Sequence, residues 1–239
     1  MKTKKRALCS ERRSDMIFGV KSKIPSDMKL TNGYSLFDWI MRKKDVPEFW
    51  MRNITGENRI TPDELAFLKN KGCRVALLID GIPEAEAASN NAAARAFETL
   101  DALRKLKVPS FSGKAVFVRF GDDEFMNHNW MISFAAILSE YGYLAGFIGN
   151  TDSSLNFCFD RECGHFYNAT KQIGCYGALY GATEPDCNAP ENGWKPYFPS
   201  DFSADDISLW ESREVIKCGE AELASPVYAR DTGVFENLI

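Results

Sequence analysis

The sequence predicts an α/β protein, a (β/α)8-type TIM barrel that is incomplete or has shortened helices. Three observations carry this. Short apolar runs alternate with stretches bearing helical signals, as in a parallel sheet. Seven or eight such runs suit a closed barrel better than an open sheet. Six of them end in acid: at Asp38, Asp80, Asp122-Asp123-Glu124, Asp152, Glu184 and Glu211. Parallel barrels keep their active sites on the face where the strands end, so these carboxylates would gather in one polar bowl.

Residues 1–29 read as a basic flexible tail. Lys2, Lys4, Lys5, Arg6, Arg12 and Arg13 crowd its start against only Glu11 and Asp15, and charge clusters at termini are usually solvated. One barrel domain then spans 30–239. Its first strand is expected at 34–39 and its second at 48–54. Thr61, Pro62 and Glu64 form a capping box that opens a helix, Gly72 stops it, and a buried strand follows at 74–80.

The alanine-rich stretch 89–106 places Ala93, Phe97, Leu100, Leu103 and Leu106 at helical spacing, with Arg104 and Lys105 complementing the dipole of its last turn. A strand at 115–120 precedes a helix at 127–141 whose face holds Trp130, Phe134 and Leu138. The alternation continues with a strand at 144–150, a helix at 159–173 and a strand at 177–183. Residues 185–201 hold four of the ten prolines together with Trp194, Tyr197 and Phe198, a long aromatic loop of the functional kind. A last strand at 207–211 leads into an irregular tail.

Composition excludes several classes. The 239 residues are 45% hydrophobic and 26% charged, with net charge −4. The negative balance argues against nucleic acid as a general partner. No run of about 18 apolar residues offers a membrane span. Seven irregularly spaced cysteines behind a basic, non-secretory head suggest reduced thiols and a cytoplasmic location. No CxxC pair occurs, and His128 and His165 stand far apart, so no metal site is expected. Cys163 and His165 are too close in sequence to imply a nucleophile–base pair. Dinucleotide, phosphate-loop and nucleophile-elbow motifs are missing, and no cofactor is expected.

The candidate chemistry is acidic. Glycoside hydrolysis uses two carboxylates about 5 to 10 Å apart, one of them protonated. Asp38 beside Trp39 could hold a sugar, the acid on its hydroxyls and the indole on its C–H face; Asp38 could equally cap a helix. Asp122 or Glu124 could supply one acid, with Glu184 or Glu211 opposite, and clustering would raise one pKa; the same residues also suit a turn and helix start. Glu184 follows small residues and precedes Pro185, which favours extended backbone there. Arg52 and Arg119 lie within strands and need carboxylate partners if buried. They would position the acids, clamp an anionic substrate or form structural ion pairs. Asp80, Asn150, Asp152, Tyr180, Trp210 and Glu211 are the remaining expected ligand contacts. His128 could be an acid/base group or a maker of loop hydrogen bonds.

Several of these segments together resemble a known group. They are Phe37-Asp38, the run at 49–54, the helix start at 60–65, Asn127-His128-Asn129-Trp130, the strand end at 146–152 and Leu209-Trp210-Glu211. Over about residues 30–235 the chain is similar to glycoside hydrolase-like barrels of unknown function, relatives of the lysozyme-type muramidases. The resemblance implies an incomplete TIM barrel, an acidic cleft, a carbohydrate substrate and Asp38 as the first-strand acid. It also exposes a departure. The muramidase relatives place an Asp-x-Glu pair on the fourth strand, where this chain has Arg119-Phe120-Gly121 with the acids after it. Two functions are therefore expected. One is hydrolysis of a cell-wall or related glycan, led by Asp38 and Glu184, with Asp122 or Glu124 as the alternative acid. The other is a catalytically inactive barrel that binds a glycan or another protein.

Overall fold

The computed structural model describes residues 16–122, 125–152, 158–173, 178–183, 193–230 and 232–239. Its strands are β1 (Ile17–Ser22), β2 (Phe49–Asn53), β3 (Arg74–Asp80), β4 (Ala115–Arg119), β5 (Leu144–Asn150), β6 (Ala178–Thr183), β7 (Ile207–Glu211), β8 (Ile216–Cys218) and β9 (Ala221–Ala229). The first seven pair side by side and parallel. β9 inserts antiparallel between β7 and β1 and closes the ring at eight strands, while β8 pairs outside it on β9. The helices are α1 (Leu36–Lys43), α2 (Pro62–Asn70), α3 (Glu84–Ala87), α4 (Ala93–Lys105), α5 (His128–Glu140) and α6 (Cys158–Ile173). The expected α/β barrel is therefore present, as a mixed rather than purely parallel ring. Among the described residues no helix is long and apolar enough to cross a membrane.

Both ends of the chain differ from expectation. The first barrel strand is β1, inside the segment expected to be a solvated tail, so the barrel begins before residue 30; residues 1–15 lie outside the described residues. Ile17 and Val20 are buried there, a strand pattern that the adjacent basic run obscures. Much of the segment expected as the first strand is instead α1. Ser35 caps it by accepting from the Asp38 N–H at 3.0 Å, and Leu36, Phe37 and Ile40 are buried at helical spacing. The expected irregular tail contains β9, which pairs through most of its length with β1.

The barrel has two cores. Inside the ring, Phe49, Met51, Ala76, Leu78, Phe117, Ile148, Leu209 and Val227 pack with Val234 and Leu238 from the chain's last turn. That last turn covers the face where strands begin: Ile239 exchanges backbone bonds with Val75 at 3.0 Å, and Lys114 Nζ donates to the Glu236 carbonyl at 2.9 Å. Outside the ring, Trp50, Leu77, Ile79, Val116, Val118 and Phe147 meet the helices.

Glycines make room for the inner phenylalanines. A Cβ at Gly146 would stand 2.3 Å from a ring carbon of Phe117, and one at Gly19 would stand 2.3 Å from Phe49. Gly146→Ala is therefore expected to cost about 1–3 kcal/mol by overpacking. Thermal unfolding followed by circular dichroism measures it, and an unchanged midpoint would show that the inner core repacks freely.

Candidate functional site

Side chains alternate between the two faces of each strand, and the inner rows change character at the strand ends. Below lie the apolar residues of the inner core. The last inward positions are Lys21 on β1, Asn53 on β2, Asp80 on β3, Arg119 on β4, Asn150 on β5, Thr183 on β6 and Glu211 on β7, each continuing the parity of an inward residue two positions earlier. Ser225 of β9 pairs with Lys21. A polar ring thus tops an apolar plug at the C-terminal face. Register joins its members: Asp80 lies opposite Arg119, and Asn150, Thr183 and Glu211 are paired in a row.

Glu211 is the electrostatic centre. It is 3% exposed, and its Oε2 accepts from Lys21 Nζ at 2.7 Å and from Arg119 Nε at 2.9 Å. Burial would push this carboxyl up, but the charges and hydrogen bonds of Lys21 and Arg119 outweigh it and hold the group below the usual carboxylate range. Burial likewise opposes charge on Arg119, yet Glu211, Asp80 and Asp122 raise its pKa. Asp80 Oδ1 lies 3.9 Å from Arg119 Nη1. Just beyond β4, Asp122 pairs with Arg213 and accepts from Thr183 Oγ1 at 3.3 Å. Thr151 Oγ1 donates to the Tyr197 carbonyl at 2.7 Å, tying the end of β5 to the loop before β7.

Three buried polar atoms of this ring lack a hydrogen-bond partner among the described residues: Glu211 Oε1, Asn150 Nδ2 and Asn53 Oδ1. The amide oxygen of Asn150 is engaged, accepting from the Asp152 N–H at 3.0 Å. Two acceptors and one donor thus stand incomplete on three different strands. Such atoms each cost about 1–3 kcal/mol unless a ligand or water completes them.

The structure gathers Asp80, Arg119, Asn150 and Glu211 in the ring, with Asp122 and Asp152 just past the strand ends. It places the other expected contacts elsewhere. Asp38 is in the first turn of α1, in the outer helical layer, rather than at a strand end. It accepts from Ser35 Oγ at 2.7 Å and Lys71 Nζ at 3.3 Å, and the Ser35 bond foremost lowers its pKa. Trp39 follows it on α1 and donates its indole N–H to the Lys217 carbonyl of β8 at 3.0 Å. Arg52 faces away from the barrel axis and is sealed against Glu64 of α2. Tyr180 also faces outward, among Phe166, Tyr167 and Phe202, and burial pushes its hydroxyl pKa up. Trp210 points outward too, its ring edge-on to Trp194 at 5.7 Å. In each case strand parity, or a helix in place of a strand, turns the side chain from the mouth. Glu124 and Glu184, like Asp123, lie outside the described residues.

Sequence reasoning missed Lys21, Asn53, Thr183 and Arg213. For the first three the available signal was parity: each is two residues beyond an inward apolar or glycine position. Arg213 had no such signal, because its placement depends on the loop after β7.

No protein-family model matches the chain, and no curated protein matches it by sequence. Solved structures do match. An uncharacterized protein of B. stearothermophilus superposes with a TM-score of 0.75 at 18% identity, covering 93% of this chain and 100% of that one. The Tat-secreted protein Rv2525c of Mycobacterium tuberculosis, in complex with HEPES, gives 0.54 at 10% identity over 88% and 93%. The Clostridium perfringens spore cortex lytic enzyme SleM gives 0.53 at 13% identity, covering 92% of this chain and 68% of that one. At these identities the likeness is one of fold. The chain, an α/β barrel whose ring is closed by one antiparallel strand, thus shares its fold with these proteins.

Proposed function

We propose that this chain is a glycan-directed barrel that binds a cell-wall type sugar in its polar mouth without cleaving it. One observation carries the reading. The inward position ending the fourth strand, in the stretch where the muramidase relatives have an Asp-x-Glu pair, is Arg119, and Arg119 joins Lys21 in neutralising Glu211. A glycosidase needs one carboxyl kept protonated near neutral pH. A carboxylate clamped by two cations is a poor proton donor. It is a good acceptor for sugar hydroxyls through its free Oε1, and Asn53 Oδ1 and Asn150 Nδ2 add an acceptor and a donor. Rv2525c has also been determined with L-tartrate, a small hydroxyl-bearing molecule, which agrees with a polar ligand for this fold.

Hydrolysis is the second reading, favoured by the same carboxylate. An ionised Glu211 with one free oxygen is in the state a nucleophile or base requires, and Asp122, Glu124 or Glu184 would then supply the proton.

Calorimetric titration with muropeptides and chito-oligosaccharides tests both. Saturable binding is expected, weakened roughly 10-fold or more by Glu211→Gln and by Asn150→Ala. Failure of every glycan to bind, or indifference to both substitutions, would sink the glycan reading. Release of new reducing ends that stops in Glu211→Gln would replace binding by hydrolysis.

A further inference from the structure

We propose that His128, Glu162 and His165 form a binding site for a divalent transition-metal ion between α5 and α6, outside the barrel mouth. The chain has only two histidines, and the fold brings both to one place. Glu162 and His165 are three residues apart on α6 and so share one helical face. His128 is the first residue of α5, the neighbouring helix. The rings of His128 and His165 stand perpendicular with centroids 5.3 Å apart. One ligand atom from each of the three residues lies within 4.8 Å of the other two.

The carboxylate is fixed in place before any ion arrives. Glu162 is 7% exposed, and its Oε2 accepts from the His128 backbone N–H at 3.1 Å. The same oxygen lies 2.7 Å from His128 Nδ1. Donors that each sit about 2.1 Å from a tetrahedral ion lie roughly 3.4 Å apart, so these two atoms need part by less than about 1 Å for an ion to take the place of the proton between them. The other carboxylate oxygen accepts from Arg161 Nε at 2.9 Å, which leaves Glu162 a one-oxygen ligand. His165 is exposed, so its ring can turn onto the ion and the remaining coordination positions open to solvent. Two imidazoles and one carboxylate with an open position are a ligand set for zinc, and also suit other borderline divalent ions. The great sequence separation that argued against a metal site is removed by the packing of α5 on α6.

Zn2+ added to the reduced, metal-free full chain tests this. Two-dimensional spectra of the imidazole nitrogens contain signals from two rings only, and both are expected to shift with Zn2+ in a saturable way. Co2+ is expected to give a visible absorption band with the same stoichiometry. His165→Ala removes an exposed side chain and should spare the fold. It is expected to raise the Zn2+ dissociation constant at least about tenfold, as is Glu162→Gln. The site is overturned if either ring is unmoved by saturating Zn2+. It is equally overturned if His165→Ala binds Zn2+ as tightly as the parent, because the ion then does not use the three-residue set.

Discussion

Glu64→Ala is expected to destabilise the chain by about 3–5 kcal/mol, the cost of stripping one partner from a buried ion pair. For a domain of this size that lowers the melting temperature by roughly 6–20 °C. Arg52 and Glu64 are 0% and 1% exposed. Arg52 Nε donates to Glu64 Oε1 at 2.8 Å and Nη2 to Oε2 at 3.1 Å, while Nη1 reaches the Ser22 carbonyl at 2.9 Å and Nη2 the Asn58 carbonyl at 3.0 Å. Glu64 Oε1 also accepts the Ser26 N–H at 2.7 Å. Removing the carboxylate leaves a guanidinium without water or counter-charge and orphans a backbone donor, so several penalties coincide. Replacing both partners, as in Arg52→Met with Glu64→Leu, should recover much of the loss because no lone charge remains. Urea unfolding of the parent and the two variants measures this. A loss below about 1 kcal/mol in Glu64→Ala would mean that water reaches the pair and screens it.

Glu211→Gln is expected to have the second largest effect, with a distinctive pH signature. At neutral pH it leaves Lys21 and Arg119 facing each other at the mouth with their shared counter-charge gone, at a cost of about 3–5 kcal/mol. The folded carboxyl titrates below its ordinary value of 4.5 because Lys21 and Arg119 outweigh the effect of burial. Below that ordinary value the unfolded chain binds the proton first, so this group's stabilisation is complete above it and is lost as the pH falls through the folded value. The gap between parent and variant should therefore be widest near pH 7 and shrink on acidification. Other carboxyls with lowered pKa, those of Asp38, Asp101 and Glu162, titrate in both proteins and cancel in the difference. Urea unfolding across roughly pH 3 to pH 7 reads the gap directly. Curves that run parallel would show that Glu211 is not held ionised by its two cations.

Local signals were legible wherever the deciding contacts lie within a few residues. Thr61 caps α2 as expected, accepting from the Glu64 N–H at 3.1 Å. The other half of the expected capping box is redirected: the Glu64 carboxylate turns into the core towards Arg52. A tertiary partner fully removed from water outweighs a local one on the surface. β2 through β7 follow their apolar runs closely, because each run is bounded by turn residues. The first strand was misplaced because 34–39 mixes aromatic and apolar residues in a way that suits either state. Its assignment to helix rests on the Ser35 cap and on β1 already occupying the edge beside β2.

The row of acids at strand ends includes Asp80 and Glu211, which stand in the polar ring. It could not show that cations hold them. Lys21 and Glu211 are 190 positions apart and Arg119 and Glu211 are 92 apart, distances over which no periodicity speaks. Strand parity, fixed by register, decided that Arg119 faces the mouth and Arg52 the helices, although both are arginines near strand ends. Thus the sequence by itself determined the strand–helix alternation, the barrel class and the polar character of its C-terminal face, since these follow from burial periodicity and helix caps encoded over short stretches. Tertiary structure alone decided ring closure through the returning β9, the neutralisation of Glu211 and the meeting of the two histidines. Each of these depends on which distant segments pack together, and so on the free energy of the whole barrel rather than of any one stretch of it.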